Sequence, residues 1–165
     1  MTTESHRRDS PRSVRCYVLT ISDSRTDATD TSGAAIVELL RAAGQEVVGR
    51  RIVKDDPAAV RGAVKSMEGV ADVIITTGGT GITGRDSTYE SLVGLLSKQL
   101  DGFGELFRML SYQEIGSAAM LSRACAGTIG RMAIFSLPGS EHAVRLAMKK
   151  LILPEIGHVV RELRR

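Results

Sequence analysis

The stretch 70–84 constrains this chain most. Eight largely apolar residues, Val70-Ala71-Asp72-Val73-Ile74-Ile75-Thr76-Thr77, run directly into Gly78-Gly79-Thr80-Gly81. A short apolar run without polar alternation fits a strand buried on both faces of a parallel sheet. Such a strand needs helices above and below it, and the chain supplies them in alternation. Residues 14–21 and 46–53 read as further strands, and 128–137 as one more. Between them stand helix signals. Asp30-Thr31-Ser32 precedes the apolar positions from Ala34 to Leu40 with Gly44 as a stop, and Asp56 caps a helix that opens on Pro57 and runs to about Met67. Ser87-Thr88-Tyr89-Glu90 fits a capping box for a helix through Leu92, Leu96 and Leu100. Asp101-Gly102-Phe103-Gly104 interrupts it, and helical spacing resumes from Glu105 to Glu114. Residues 117–125 are small and helix-permissive, a long helix follows Pro138-Gly139-Ser140, and Pro154 starts or kinks the last segment. The alternation predicts an α/β fold with a mainly parallel sheet covered on both faces.

A chain of 165 residues suits one domain. Residues 1–13 are polar and aperiodic and are expected to form a disordered N-terminal tail, leaving 14–165 as a single domain. Hydrophobic residues at 42% and charged residues at 25% exclude disordered, collagenous and membrane classes. The net charge of +3 sits largely at the ends, and aromatics reach only 4% with no Trp, so the basic and aromatic surface of a nucleic-acid binder is missing. No apolar run approaches the roughly 18 residues of a membrane span, and no leader follows the early arginines, so the expected location is the cytoplasm. Cys16 and Cys125 lack any Cys-x-x-Cys spacing and read as buried thiols of a reducing compartment.

In open α/β sheets ligands sit beyond the carboxyl ends of the strands. Three such ends carry small polar residues: Ser22-Asp23-Ser24, Thr76 to Gly81, and Pro138-Gly139-Ser140. Each alone is ordinary turn chemistry; three converging on one crevice make a site. Glycines let backbone N–H groups turn toward an anion with no Cβ in the way, so Gly78-Gly79-Thr80-Gly81 is a phosphate-cradle candidate. Asp86 is a candidate Mg²⁺ ligand, and Asp55 or Asp56 a second carboxylate, because magnesium is held by one or two carboxylates together with substrate phosphates. A Walker loop is absent, since no Gly-Lys-Ser/Thr occurs. Gly79-Thr80-Gly81-Ile82-Thr83-Gly84 matches the dinucleotide string, yet 87–125 reads as helix where that fold needs a strand. His6, His142 and His158 lack ligand spacing for zinc, and no Gly-x-Ser-x-Gly elbow is present. Glu105 is either a solvated carboxylate or a group reaching the crevice.

The segment Thr76-Thr77-Gly78-Gly79-Thr80-Gly81 followed by Arg85-Asp86-x-Thr88-x-Glu90 resembles the MoaB/Mog family of molybdenum-cofactor biosynthesis. Ile21-Ser22-Asp23-Ser24, Asp30-Thr31-Ser32-Gly33, Gly102-Phe103-Gly104-Glu105, Met120-Leu121-Ser122-Arg123 and Leu137-Pro138-Gly139-Ser140 resemble it in the same order, and the stretch from Phe107 to Gly116 points to the MoaB branch. The resemblance implies a three-layer α/β/α subunit in a homotrimer or hexamer. It implies adenylylation of molybdopterin by MgATP, with release of pyrophosphate, or molybdopterin binding without catalysis. By position, Asp86 and Asp55 would be the catalytic carboxylates holding Mg²⁺. Ser22, Asp23, Thr76, Thr77, Gly78, Gly79, Thr80, Gly81, Arg85, Glu105, Pro138, Gly139 and Ser140 would bind ATP and molybdopterin. A molybdenum-insertion protein would be the downstream partner. Lys54 stands before Asp55 where the Mog branch has proline, so Asp56 stays an alternative.

Overall fold

The computed structural model describes residues 10–165. β1 (Arg15–Ile21) leads into α1 (Thr31–Ala42), followed by β2 (Glu46–Val53), α2 (Pro57–Lys65), β3 (Val73–Thr77) and α3 (Thr88–Val93). Then come β4 (Lys98–Gln99), α4 (Asp101–Ile115), a 3₁₀ turn (Gly116–Leu121) and the hairpin β5 (Cys125–Ile129) and β6 (Met132–Leu137). The chain closes with α5 (Glu141–Ala147), a π-helical turn (Met148–Ile152) and α6 (Leu153–Arg164). One sheet of order β2-β1-β3-β6-β5-β4 holds all six strands, the first four in that order parallel and β5 and β4 antiparallel to their neighbours.

The period of two in each strand divides the core. Cys16 and Val18, Val73 and Ile75, and Phe135 and Leu137 point to one face, where Ile36 and Leu40 of α1, Phe103 and Phe107 of α4, Val144 of α5 and Ile156 of α6 cover them. Leu19, Ile74 and Ile134 point to the other, under Val60 and Val64 of α2 and Leu92 of α3. This is the expected α/β/α sandwich. The chain steps from β1 out to β2 and then back past β1 to β3, so α1 and α2 lie on opposite faces, as right-handed crossovers require. The reversal opens a crevice beyond β1 and β3.

Several boundaries differ from the sequence reading. Residues 128–137 form parts of two strands, because Gly130 adopts φ 56° and turns the chain so that Ile129 pairs with Met132. Cys125, read as helical, opens β5, and of the helix-permissive stretch before it only residues 117–121 are helical, as the end of a short 3₁₀ segment. The helix expected through Leu100 stops at Val93, β4 follows it, and Asp101 to Gly104 are the first turn of α4. The long helix after Ser140 is broken into α5 and α6 by the π turn ahead of Pro154, whose ring nitrogen has no N–H to give. His6, Arg7, Arg8 and the rest of residues 1–9 lie outside the described residues. Of the expected tail, Pro11 lies against Gly157 of α6, and Arg12 accepts a hydrogen bond from Gln45 through its carbonyl.

At the sheet end opposite the crevice, Asp72 ties the first and last elements together. It accepts from the Arg15 backbone and side chain and pairs with Arg164 at 3.2 Å. Burial alone would raise its pKa; the arginine hydrogen bonds outweigh burial and hold it at about 2.

Candidate functional site

Each loop of the crevice is shaped by contacts its own sequence provides. Ser22, just past β1, accepts from the N–H groups of Ser24 and Arg25 at 3.2 and 3.1 Å, which folds the loop back on itself. Asp23 accepts from the Asp55 N–H at 3.1 Å and so joins the ends of β1 and β2. Thr76 and Thr77 are fully buried; Thr77 donates to the Pro138 carbonyl at 2.9 Å and links the ends of β3 and β6. Neither threonine lines the cleft; Thr77 ties two strand ends together instead of meeting a ligand, and the buried Thr76 hydroxyl has no partner among the described residues.

The glycine loop has no room for side chains. At Gly78, φ 98°, a Cβ would meet the Ile21 carbonyl oxygen at 2.2 Å; at Gly79, φ 69°, it would meet Thr88 Oγ1 at 1.9 Å. Thr80 is buried. The backbone N–H groups of Gly79, Thr80, Gly81 and Ile82 donate to no acceptor among the described residues. Four consecutive unengaged donors make a cradle for an anion.

Asp86 and Asp55 flank this cradle. Asp86 Oδ2 accepts from the Thr83 N–H at 3.0 Å and the Thr83 hydroxyl at 2.6 Å, and it lies 2.5 Å from where a Gly81 Cβ would stand. Asp55 Oδ1 accepts from the Ser87 hydroxyl at 3.1 Å and the Thr88 hydroxyl at 3.2 Å, and Asp55 Oδ2 lies 3.1 Å from the Cβ position of Gly79. Each carboxylate therefore anchors one oxygen on the protein and keeps the other unengaged. Asp56, the alternative second carboxylate, caps α2 by accepting from the Ala59 N–H at 2.8 Å, so geometry favours Asp55. Ser87 does not cap α3 with its side chain as the capping-box pattern predicted, because its hydroxyl goes to Asp55, and Glu90 pairs with Arg123. No group of three or more His, Cys, Asp or Glu that could hold a metal ion occurs among the described residues. Two carboxylate oxygens beside an anion cradle fit a cation that brings phosphate ligands with it.

The cleft that follows the cradle has a volume of about 410 Å³. Gly78 to Gly81 and Asp86 form one wall, Pro138, Gly139 and Ser140 a second, and Phe107, Ile115 and Leu121, with Ser111 among them, a largely apolar third. Ser140 also caps α5, accepting from the Ala143 N–H at 3.2 Å. Glu105 is not among these walls; it lines an adjoining cavity of about 420 Å³ that shares Ser122 with the cleft. Arg85 is exposed.

Two arginines that the sequence reading did not assign hold the loops from outside. Arg25 donates to the Gly139 carbonyl at 2.7 Å and to Ser32. It also lies 3.5 Å from Asp30, a fully buried carboxylate that accepts from Thr20 and Arg50 at 2.7 Å each and caps α1 through the Gly33 N–H at 3.0 Å. Arg123 reaches the glycine loop. Its sequence signal is its place in the family-like segment Met120-Leu121-Ser122-Arg123, which by itself assigns the arginine no chemistry.

Residues 17–158 match the family described as "Probable molybdopterin binding domain". The molybdenum cofactor biosynthesis protein B of Bacillus cereus is 55% identical, over 100% of this chain and 99% of its own length, and that of Bacillus subtilis is 51% identical with the same coverage. A solved structure of the tungsten cofactor synthesizing protein MoaB from Pyrococcus furiosus is 40% identical, covers 94% of this chain and 100% of its own, and superposes with a TM-score of 0.84. Another, of a molybdenum cofactor biosynthesis protein B, gives 56% identity and a TM-score of 0.92 over 95% of this chain and 99% of its own. The chain belongs to the MoaB/Mog family of molybdenum-cofactor biosynthesis proteins.

Proposed function

We propose that the chain adenylylates molybdopterin with MgATP. A terminal phosphate oxygen of molybdopterin attacks the α-phosphorus of ATP, the bond from that phosphorus to the bridging oxygen breaks, and pyrophosphate leaves. The observation that carries this reading is the run of four unengaged N–H donors lying between two carboxylates with one unengaged oxygen each. The N–H groups of Gly79 to Ile82 bind and orient phosphate oxygens. Asp86 and Asp55 would hold Mg²⁺, which when bound neutralises charge on the phosphates. Phe107, Ile115 and Leu121 give the cleft an apolar side against which the pterin ring system would pack. Transfer of this type needs in-line placement and charge neutralisation more than a protein nucleophile, so backbone donors beside two carboxylates support the reading. Incubating the protein with molybdopterin and MgATP should release pyrophosphate in proportion to the adenylyl-molybdopterin formed.

A second reading, binding of molybdopterin without transfer, is favoured by the description of the family as a binding domain. It predicts molybdopterin binding with no pyrophosphate above background, and that outcome would reject the transferase.

Homo-oligomerisation, trimer or hexamer, belongs to the same reading. Leu106, Met109, Tyr112 and Ile115 follow one another along α4 at helical spacing, and Met120 and Leu121 extend the stripe; these six are 48% to 80% exposed. An apolar ridge of this kind on a free subunit marks an association face. Light scattering at micromolar protein should give three or six subunit masses, and Tyr112→Glu should lower that mass. A monomeric wild-type protein would refute it.

A further inference from the structure

We propose that Arg123 is a positioning residue that aims the backbone donors of the glycine loop into the cleft. The proposal rests on the phosphate-binding reading of that loop. Arg123 Nε donates to the Thr80 carbonyl at 3.1 Å, and Nη2 to the carbonyl of the next residue, Gly81. Nε and Nη2 lie on one edge of the planar guanidinium, so one rigid fork holds two consecutive carbonyls. In a trans peptide the carbonyl and the following N–H point in opposite directions, and no cis bond occurs among the described residues. Fixing the Thr80 and Gly81 oxygens on Arg123 therefore turns the N–H groups of Gly81 and Ile82 to the other side of the loop. These are two of the four unengaged donors.

The guanidinium does not meet the ligand itself. Arg123 lines the adjoining cavity that also holds Glu105, and it is absent from the walls of the cleft, which Thr80 and Gly81 line. Its remaining contacts fix its orientation and balance its charge. Nη1 pairs with Glu90, whose pKa is lowered chiefly by that hydrogen bond, and the guanidinium carbon sits 4.9 Å above the centre of the Tyr89 ring. Both partners belong to α3, the helix that also carries Thr88 under Gly79. Arg123 thus joins the start of β5, the first helix after the loop and the loop itself. A lysine there would keep the charge and lose the fork.

The experiment uses the full chain, with MgATP and inorganic pyrophosphate with Mg²⁺ as probes in calorimetry. Arg123→Lys and Arg123→Gln should each weaken binding of both probes by about tenfold or more, the loss expected for misaligned hydrogen bonds to a charged group. Their thermal unfolding should stay close to wild type. In Arg123→Ala, free guanidinium ion should restore part of the affinity, which a residue holding the fold alone would not show. Wild-type affinity in Arg123→Lys would overturn the proposal, since charge would then suffice. So would loss of affinity only in step with loss of folding. Failure of the wild-type chain to bind either probe would remove the phosphate-binding reading itself, and the proposal with it.

Discussion

Replacing Asp86 by asparagine is expected to slow pyrophosphate release from MgATP and molybdopterin by about a hundredfold or more, the scale seen when one electrostatic partner of a developing transition state is removed. The substitution separates charge from architecture. The introduced amide oxygen can still accept from the Thr83 N–H and hydroxyl, which lie 3.0 and 2.6 Å from Asp86 Oδ2 in the wild-type chain, so the loop should keep its shape. What is lost is the charge at the oxygen that the protein does not use. Urea unfolding should therefore change by less than about 1 kcal/mol, as for substitutions that leave packing intact. Asp55→Asn should act in the same way, because Ser87 and Thr88 can donate equally to an amide oxygen. The double variant should lose less than the product of the two single losses if both carboxylates serve one ion, as proposed. Turnover within tenfold of wild type in Asp86→Asn would take Asp86 out of the reaction.

The largest stability effect should come from a residue that never meets the substrate. Asp30→Ala is expected to lower the free energy of unfolding by about 3 kcal/mol or more, from a lost helix cap together with a buried ion pair broken on one side. The Asp30 side chain is fully buried, and Arg50, which pairs with it at 2.7 Å, is three-quarters buried. Asp30→Asn should cost less, because asparagine still caps α1 through the Gly33 N–H. Burial by itself would raise the pKa of Asp30, but hydrogen bonds from Thr20, Arg50 and Gly33 outweigh it and hold the carboxyl below the usual carboxylate range. A folded-state pKa that is depressed stabilises above the unfolded value and loses that contribution as pH falls through the folded one. Wild type should therefore lose this part of its stability in acid, and the gap to Asp30→Ala should narrow there. Urea titrations at neutral pH and in acid measure both; a neutral-pH loss under about 1 kcal/mol would contradict the assignment. MgATP affinity should fall as well, since Arg25 would lose the carboxylate that steadies its hold on Gly139.

The parts of the fold legible in sequence are those fixed by local chemistry. Val73 to Thr77, the Asp56-Pro57 start of α2 and the Asp30 cap of α1 each announce themselves within a few residues. The hairpin β5–β6 was hidden because the Gly130-Arg131 turn is only two residues long and apolar residues flank it, Ile129 before and Met132-Ala133-Ile134 after, so the stretch reads as one run. β4 is two polar residues, Lys98 and Gln99, and is a strand only because Thr128 and Gly127 pair with it. In the site, the glycine loop and Asp86 were legible because cradle and carboxylate are neighbours in sequence. The fate of Ser87 was not, since Asp55 stands 32 residues away and takes the hydroxyl that a local cap would have used. Arg123 lies 43 residues from Thr80, and no spacing rule connects an arginine after a 3₁₀ turn with a distant carbonyl.

The division of labour within the two carboxylates sets how a cation would enter. With one oxygen of Asp55 and one of Asp86 committed to hydroxyls and amides, the protein offers only a minority of the roughly six positions of an octahedral magnesium ion, and water or phosphate must fill the others. On the proposed reading the free chain would then be a poor magnesium chelator, and the ion would arrive already bound to the nucleotide. Nucleotide and metal would be a single visitor, and the protein would not have to hold a bare divalent charge against its glycine loop between visits.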